Sequence, residues 1–229
     1  MGEPVIQSGG IPPVLAVILV LLCLFIEVFA ISVVHLPLST SLDQECDPEK
    51  QLILNMHLNK QKDIDHIFAG DYFYLGMYVE SMNYAKKMVM SGKEPLVLSG
   101  LFCKARCEFF MGDYAAFCQT ASDFSATLST CKKLKPKERE SYQKIEQIIK
   151  LMFAISNGDE KTVNELRNTV EAWRPSAAID GYINYIKGLA ATQIGDKDEA
   201  VYRFKSVKEH CSKTALAHLS DQHLAALSK

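Results

Sequence analysis

The sequence predicts an all-α protein: an N-terminal transmembrane helix, then an α-solenoid of about four antiparallel helix hairpins and a C-terminal capping helix. Three observations support this fold class. One N-terminal stretch is almost wholly apolar, Gly-Asp pairs recur at intervals of 42, 46 and 37 residues, and prolines fall at the expected helix boundaries. We therefore divide the chain into a flexible tail (1–13), a transmembrane helix (14–35), a linker (36–47) and a helical repeat domain (48–229).

The composition argues against a nucleic-acid partner. The 229 residues are 48% hydrophobic and carry a formal net charge of −2. No Lys or Arg precedes Lys50, and Glu3 and Glu27 are the only acidic residues before Asp43. The remainder is formally neutral and lacks the basic surface typical of nucleic-acid binders.

Residues 14–34 form the predicted membrane span. They read VLAVILVLLCLFIEVFAISVV, which is long enough to cross a bilayer as a helix. A cleaved signal peptide is the alternative, because the residues that end at Ala30 include small side chains at a spacing suitable for cleavage. Against this alternative, the usual positive n-region is absent and apolar residues continue beyond Ala30. Since positive charge prefers the cytoplasmic side and Lys50 lies beyond the span, we expect the repeat domain in the cytoplasm.

Glu27 lies near the middle of this span, where a carboxyl costs about 2.5–3.5 kcal/mol on insertion scales. Ala16, Cys23 and Ala30 recur every seven residues, and Glu27 falls on the same side. Small residues on one face let a second helix approach closely. Glu27 is therefore either a tolerated lone carboxyl or, with Cys23 and Ala30, an intramembrane contact with a partner.

Six of the seven cysteines lie outside the apolar stretch, so disulfides remain possible by number. The chain is nevertheless long enough to build a core without them, and a free thiol among apolar helical residues behaves as a small hydrophobe. We expect free thiols and a reducing compartment. Cys103 and Cys107, four residues apart on one predicted helix, have no second close pair to complete a zinc site and are interpreted as core residues.

The predicted hairpins turn at four Gly-Asp pairs, because Gly can end a helix in the left-handed conformation and Asp can cap the next one. These pairs are Gly70-Asp71, Gly112-Asp113, Gly158-Asp159 and Gly195-Asp196. The predicted helix pairs are 48–68 with 72–90, 96–111 with 114–131, 136–156 with 160–173 and 178–194 with 197–211, followed by a last helix at 213–227. Pro48, Pro95, Pro136 and Pro175 lie at their boundaries, where a missing N–H does little harm.

Small residues surround the last of these turns. Gly188 stands in the first helix of the pair, Gly195-Asp196 forms the turn, and Ala200, Phe204 and Val207 follow in the second helix. In this pattern the chain resembles the tetratricopeptide repeat family. The resemblance extends over about residues 48–212, is strongest in the fourth unit and is degenerate in the other three; other helical-hairpin repeats are the alternative.

The resemblance also implies a binding site, because first helices line a concave groove in such families. The residues that it places there are Phe102, Arg106, Phe109, Phe110, Met152, Tyr182, Tyr185 and Gln193. Aromatic and apolar groups with one arginine suit an extended or helical peptide. The alternative is that these side chains simply pack against neighbouring helices.

No signature of catalysis is found: the sequence has no Gly-rich phosphate loop, no HExxH and no GxSxG. We interpret His210, His218 and His223 as surface or capping residues, and expect no catalytic residue, cofactor, metal or small-molecule substrate. The expected function is a membrane-anchored scaffold or adaptor that binds a protein or peptide partner. The alternative is an accessory subunit of an integral membrane complex, contacting it mainly through the transmembrane helix and Glu27.

Overall fold

The protein is described here by a computed structural model, which covers residues 21–25, 41–58 and 64–229. Contacts divide the chain into two compact units, Met1–Ser39 and Thr40–Lys229. Within the described ranges every regular element is a helix, which confirms the all-α prediction.

Of the first unit, the structure describes a helical segment at 21–25 with exposed apolar side chains, Cys23 included. No helix in the described part of the chain is long and apolar enough to cross a bilayer. The rest of the predicted tail and membrane span, with Glu27 and Ala30, lies outside the described residues.

The second unit contains ten helices whose bounds the structure gives. They are α1 (Pro48–Leu58), α2 (Asp65–Tyr74), α3 (Tyr78–Met90), α4 (Glu94–Met111), α5 (Tyr114–Thr130), α6 (Pro136–Ser156), α7 (Glu160–Leu166), α8 (Ala177–Gln193), α9 (Lys197–His210) and α10 (Ala215–Leu227). Helices α2 to α9 form four consecutive hairpins, with α1 before them and α10 after them. Proline occupies the first turn of α4 and of α6, as predicted.

Three of the four predicted turns are confirmed and share one hydrogen-bonding scheme. Gly112, Gly158 and Gly195 have φ values of 75°, 70° and 75°. The amide of the following aspartate donates to a carbonyl five residues back, as from Asp113 to Glu108 at 2.9 Å. Its carboxylate then accepts from an amide three residues on, capping the next helix. Each Gly-Asp pair thus ends one helix and starts another.

The predicted turn at Gly70-Asp71 is wrong. Both residues lie inside α2, and the chain turns instead at Gly76, where φ is 78° and the amide of Met77 donates to Tyr72 at 2.9 Å. Asp71 is buried and accepts a hydrogen bond from the Asn55 side chain at 3.2 Å. The predicted helix at 48–68 is correspondingly divided between α1 and α2, and α3 begins at residue 78 rather than 72.

Two further boundaries differ from expectation. Helix α7 ends at Leu166 instead of residue 173, and Trp173 packs edge-on against Phe102 with their ring centroids 5.2 Å apart. Residues 41–47, assigned to the linker, pack against the helical unit, with Leu42 and Cys46 buried.

The close helix crossing expected in the fourth hairpin is present. A Cβ atom on Gly188 would lie 2.7 Å from the Phe204 ring, and Ala200, Phe204 and Val207 are fully buried. Glycine at this position therefore lets α8 and α9 pack closely around the Phe204 ring.

Candidate functional site

Several of the residues predicted to line a groove meet in the interior, close to the guanidinium group of Arg106. The guanidinium carbon lies 4.2 Å from the ring centroid of Phe73, 4.6 Å from that of Phe102 and 5.6 Å from that of Tyr182. Phe110 contacts Tyr182 and stacks on Tyr185. We call these six residues (Phe73, Phe102, Arg106, Phe110, Tyr182 and Tyr185) the central cluster.

The central cluster occupies the space that an open concave groove would need. Its members come from α2, α4 and α8, and α6 joins them where the Tyr182 hydroxyl donates to the Met152 sulfur at 3.0 Å. Most of the predicted groove residues are buried, namely Phe102, Arg106, Phe109, Met152, Tyr182 and Tyr185, while Phe110 and Gln193 are partly buried. The structure therefore places them in the core, as the packing alternative expects, because α2 brings Phe73 against the first helix of the fourth hairpin.

Arg106 is a buried charge, only 4% exposed. Within the described part of the chain no carboxylate forms an ion pair with it; its Nη2 donates to the Cys103 sulfur at 3.3 Å, and its Nε lacks a partner. Aromatic faces offset part of the desolvation cost, since a desolvated cation–π contact contributes up to about 2 kcal/mol. These contacts give Arg106 a packing role between α2, α4 and α8.

A concavity lies on the opposite side of α6, between α5 and α7. We call it the α5–α7 groove; it encloses about 580 Å³. It is lined by Cys118, Ala121, Ser122, Ser125, Ile149, Lys150, Phe153, Ala154, Asn157, Asp159, Thr162 and Leu166. Its volume is within the range of protein binding pockets, about 300–1,000 Å³.

This groove exists because α6 is apolar on two faces while its neighbours offer small side chains. Ile148, Leu151 and Met152 are fully buried on the core side of α6. Ile149 and Phe153 belong to the groove, one helical turn apart, and Phe153 is 42% exposed. The facing side chains of α5, among them Ala121, Ser122 and Ser125, are too short to cover Phe153, whereas Ile149 beneath it is buried.

Polar groups form the rim of the groove. The Lys150 ammonium lies 3.3 Å from the Glu146 carboxylate and is half-exposed. Asp159 accepts a hydrogen bond from the Thr162 amide at 3.1 Å, and hydrogen bonding by Thr162 lowers the pKa of that carboxyl. An apolar floor with hydroxyl and charged groups at its edge is suited to binding an amphipathic segment.

The remaining candidate residues have ordinary structural contacts. Cys107 donates to the Ser81 hydroxyl at 3.2 Å, and His223 contacts the Tyr185 hydroxyl at 3.1 Å. Among the described residues no group of three or more histidine, cysteine or acidic side chains is placed to hold a metal ion.

The chain was compared with protein-family models, curated proteins and solved structures. None of the three comparisons finds a match.

The α5–α7 groove was missed at the sequence level, although one signal points to it. Residues 148–155 read IIKLMFAI, an apolar run interrupted only by Lys150. A helix packed on one side needs an apolar stripe, whereas a run this continuous indicates a second buried or binding face.

Proposed function

We propose that this protein is a membrane-anchored helical-repeat scaffold that holds an amphipathic helical segment of a partner protein in the α5–α7 groove. The observation that carries the proposal is the Phe153 side chain, 42% exposed between two helices and continuous with the buried Ile149 and Ala154 in an apolar floor. The four hairpins and their common turn also support divergent membership of the tetratricopeptide repeat family.

The chemistry of the groove favours a helical occupant. Its walls are the helices α5 and α7, and a third helix can lay its side-chain ridge between them. A large apolar residue of the partner would cover Phe153. An acidic residue beside it would reach Lys150, in competition with Glu146.

The anchor is the apolar stretch at residues 14–34, and the helical domain would then face the cytoplasm, as the sequence predicts. Anchoring would concentrate the groove at the membrane surface, where a partner held in the same membrane meets it at high effective concentration.

The groove is tested by selecting helical peptides from a display library on the immobilised full chain, purified in mild detergent. We expect enriched peptides to share a large apolar residue one turn from an acidic residue. Ser122→Trp fills the groove from an exposed position and should abolish their binding, and Phe153→Ala should weaken it about ten-fold or more.

Tyr202→Ala provides the matched control. Tyr202 is an exposed aromatic residue on α9, 61% accessible, and lies away from the groove. If the selected peptides bind equally to wild type and Ser122→Trp, or are lost equally in Tyr202→Ala, the groove is not the binding site.

An accessory subunit of an integral membrane complex is the second candidate, favoured by Glu27 in the apolar stretch with Cys23 and Ala30 on the same side. Site-specific photo-crosslinking in membranes separates the two functions. Crosslinks from position 122 support the scaffold. Crosslinks from position 23 that disappear in Glu27→Leu, with none from position 122, support the subunit.

A further inference from the structure

Residues 41–47 form a short segment, here called the N-terminal clasp, that packs on the C-terminal part of the helical unit. Two ion pairs join them across more than a hundred residues of sequence. Arg174 contacts Asp43 at 3.3 Å, and Lys213 contacts Asp47. The clasp therefore connects the start of the domain to the loop before α8 and to the α9–α10 junction.

Between these ion pairs two thiols meet. Cys46 and Cys211 are both fully buried and each shifts the pKa of the other, and the Cys211 thiol donates to the Ala177 carbonyl at 3.2 Å. The contact is flanked by the Asp47–Lys213 ion pair, one residue after Cys46 and two after Cys211. The two backbones are thus held together independently of the sulfur atoms.

The local backbone is adapted to this contact. Among the residues that the structure describes, Cys46 alone of the non-glycine residues has a positive φ, 51°. Such a conformation is unfavourable for a residue with a Cβ atom and persists only where the surroundings impose it. On the other side, a Cβ atom on Gly181 would lie 2.4 Å from the Cys211 sulfur, so a glycine is needed to make room for that sulfur.

Other buried cysteines have different partners. Cys103 accepts from Arg106, Cys107 donates to Ser81, and Cys131 donates to the Glu94 carboxylate. Burial as a small hydrophobe explains these, but it does not explain two thiols brought together from positions 46 and 211.

The two thiols also differ in acidity. The hydrogen bond from Cys46 lowers the pKa of Cys211, and the same contact raises the pKa of Cys46. A thiolate is the attacking species in disulfide exchange.

We propose that Cys46 and Cys211 form a reversible intramolecular disulfide that locks the N-terminal clasp onto the C-terminal hairpin. The oxidant is a small-molecule disulfide of the glutathione class. The Cys211 thiolate attacks one sulfur of that disulfide, whose S–S bond breaks and releases one thiolate. The Cys46 thiolate then attacks the Cys211 sulfur and expels the second. Two protein thiols become one disulfide, the oxidant becomes two thiols, and the two protein protons go to the leaving thiolates.

Because both sulfurs are buried, the oxidant reaches Cys211 only when the clasp opens. Opening uncovers the buried Leu42 and Cys46 and breaks two ion pairs, whose basic partners are exposed while Asp43 and Asp47 are only 32% and 13% exposed. Local opening of this size is frequent in folded proteins. The ion pairs therefore contribute to the barrier that slows oxidation, and the disulfide determines whether the clasp can open at all.

The test uses the reduced full chain in mild detergent, incubated with oxidised glutathione and mapped by mass spectrometry of non-reduced peptides. We expect the 46–211 crosslink to be the first intramolecular disulfide, and a melting temperature raised by several degrees that dithiothreitol restores. Cys46→Ser and Cys211→Ser should each remove both effects, whereas Cys118→Ser, at a partly exposed cysteine, should leave them unchanged.

A second variant tests the opening step. Asp43→Asn with Asp47→Asn weakens both ion pairs, while the amide oxygen at position 47 still caps α1, and should speed oxidation about two- to ten-fold. A different cysteine pair forming first, or single glutathione adducts at Cys46 or Cys211 without the crosslink, overturns the disulfide. An unchanged rate in the double variant overturns the role of the clasp.

Discussion

Alanine substitutions at Gly70 and Gly76 distinguish the observed first hairpin from the one that the sequence predicts. Gly70 lies inside α2, and a Cβ atom there meets nothing within 4 Å. Gly76 forms the turn with φ at 78°, and its Cβ would lie 2.9 Å from that of Ala215. The same chemical change should therefore have opposite effects at two sites six residues apart.

The magnitudes follow from this geometry. Gly70→Ala should stabilise the chain by about 1 kcal/mol, the difference in helix propensity between the two residues. Gly76→Ala should destabilise it by about 1–2 kcal/mol for the left-handed conformation. The clash with Ala215 adds about 1–3 kcal/mol. In a domain of this size, 1 kcal/mol shifts the melting temperature by roughly 2–4 °C.

Circular dichroism at 222 nm on the full chain, melted at fixed pH and detergent, measures both variants against wild type. If the chain turned at Gly70-Asp71 instead, Gly70 would be the left-handed residue and Gly76 would lie inside a helix. Gly70→Ala would then lower the melting temperature and Gly76→Ala would raise it. That reversal of signs would refute the observed hairpin.

Three further predictions concern titrating and capping groups. Burial raises the pKa of Asp71 to about 7. The folded chain thus keeps a proton that the unfolded chain loses above about pH 4, so the free energy of unfolding falls as the pH rises from about 4 to 7. Asp71→Asn should remove this pH dependence. Urea unfolding at pH 5 and pH 8 measures it. Burial lowers the pKa of His223, so stability should be lost as the pH falls below about 6.5. His223→Phe keeps an aromatic ring stacked on Phe204 and should remove this loss of stability at low pH, which melting temperatures measured at a series of pH values would show. Asp196→Ala removes the α9 cap and the 2.8 Å ion pair with Arg167, and should lower the melting temperature by a few degrees. An unchanged melting temperature would exclude a stabilising role for this turn.

The parts of the fold that were predictable are those encoded by local chemistry. A Gly-Asp pair specifies a left-handed residue and a helix cap within six residues, so the turns at Gly112, Gly158 and Gly195 could be found without tertiary information. Gly76-Met77 has the same backbone conformation but no capping aspartate, so this turn was not predicted. Gly70-Asp71 has the sequence of a turn, but Asp71 is held in the interior by Asn55, which no local pattern reveals.

The candidate site was harder to predict because it depends on distances between helices. The resemblance assigned Arg106, Tyr182 and Tyr185 to the inner faces of first helices, and the structure buries all three. Whether those faces enclose a groove or contact each other depends on how closely the hairpins pack, which is a tertiary property. Likewise, the spacing between α5 and α7, which leaves Phe153 exposed, is a tertiary property.

The contact between Phe73 of the first hairpin and Tyr182 of the fourth, with ring centroids 5.7 Å apart, limits how this protein can evolve. An open repeat array grows by duplication, since a new unit contacts only its neighbours. Here an extra hairpin inserted between the second and fourth would push those two rings apart and leave Arg106 without part of its aromatic surroundings. The number of units is therefore fixed by the core, and new specificity has to come from substitutions on the outer faces of the existing helices.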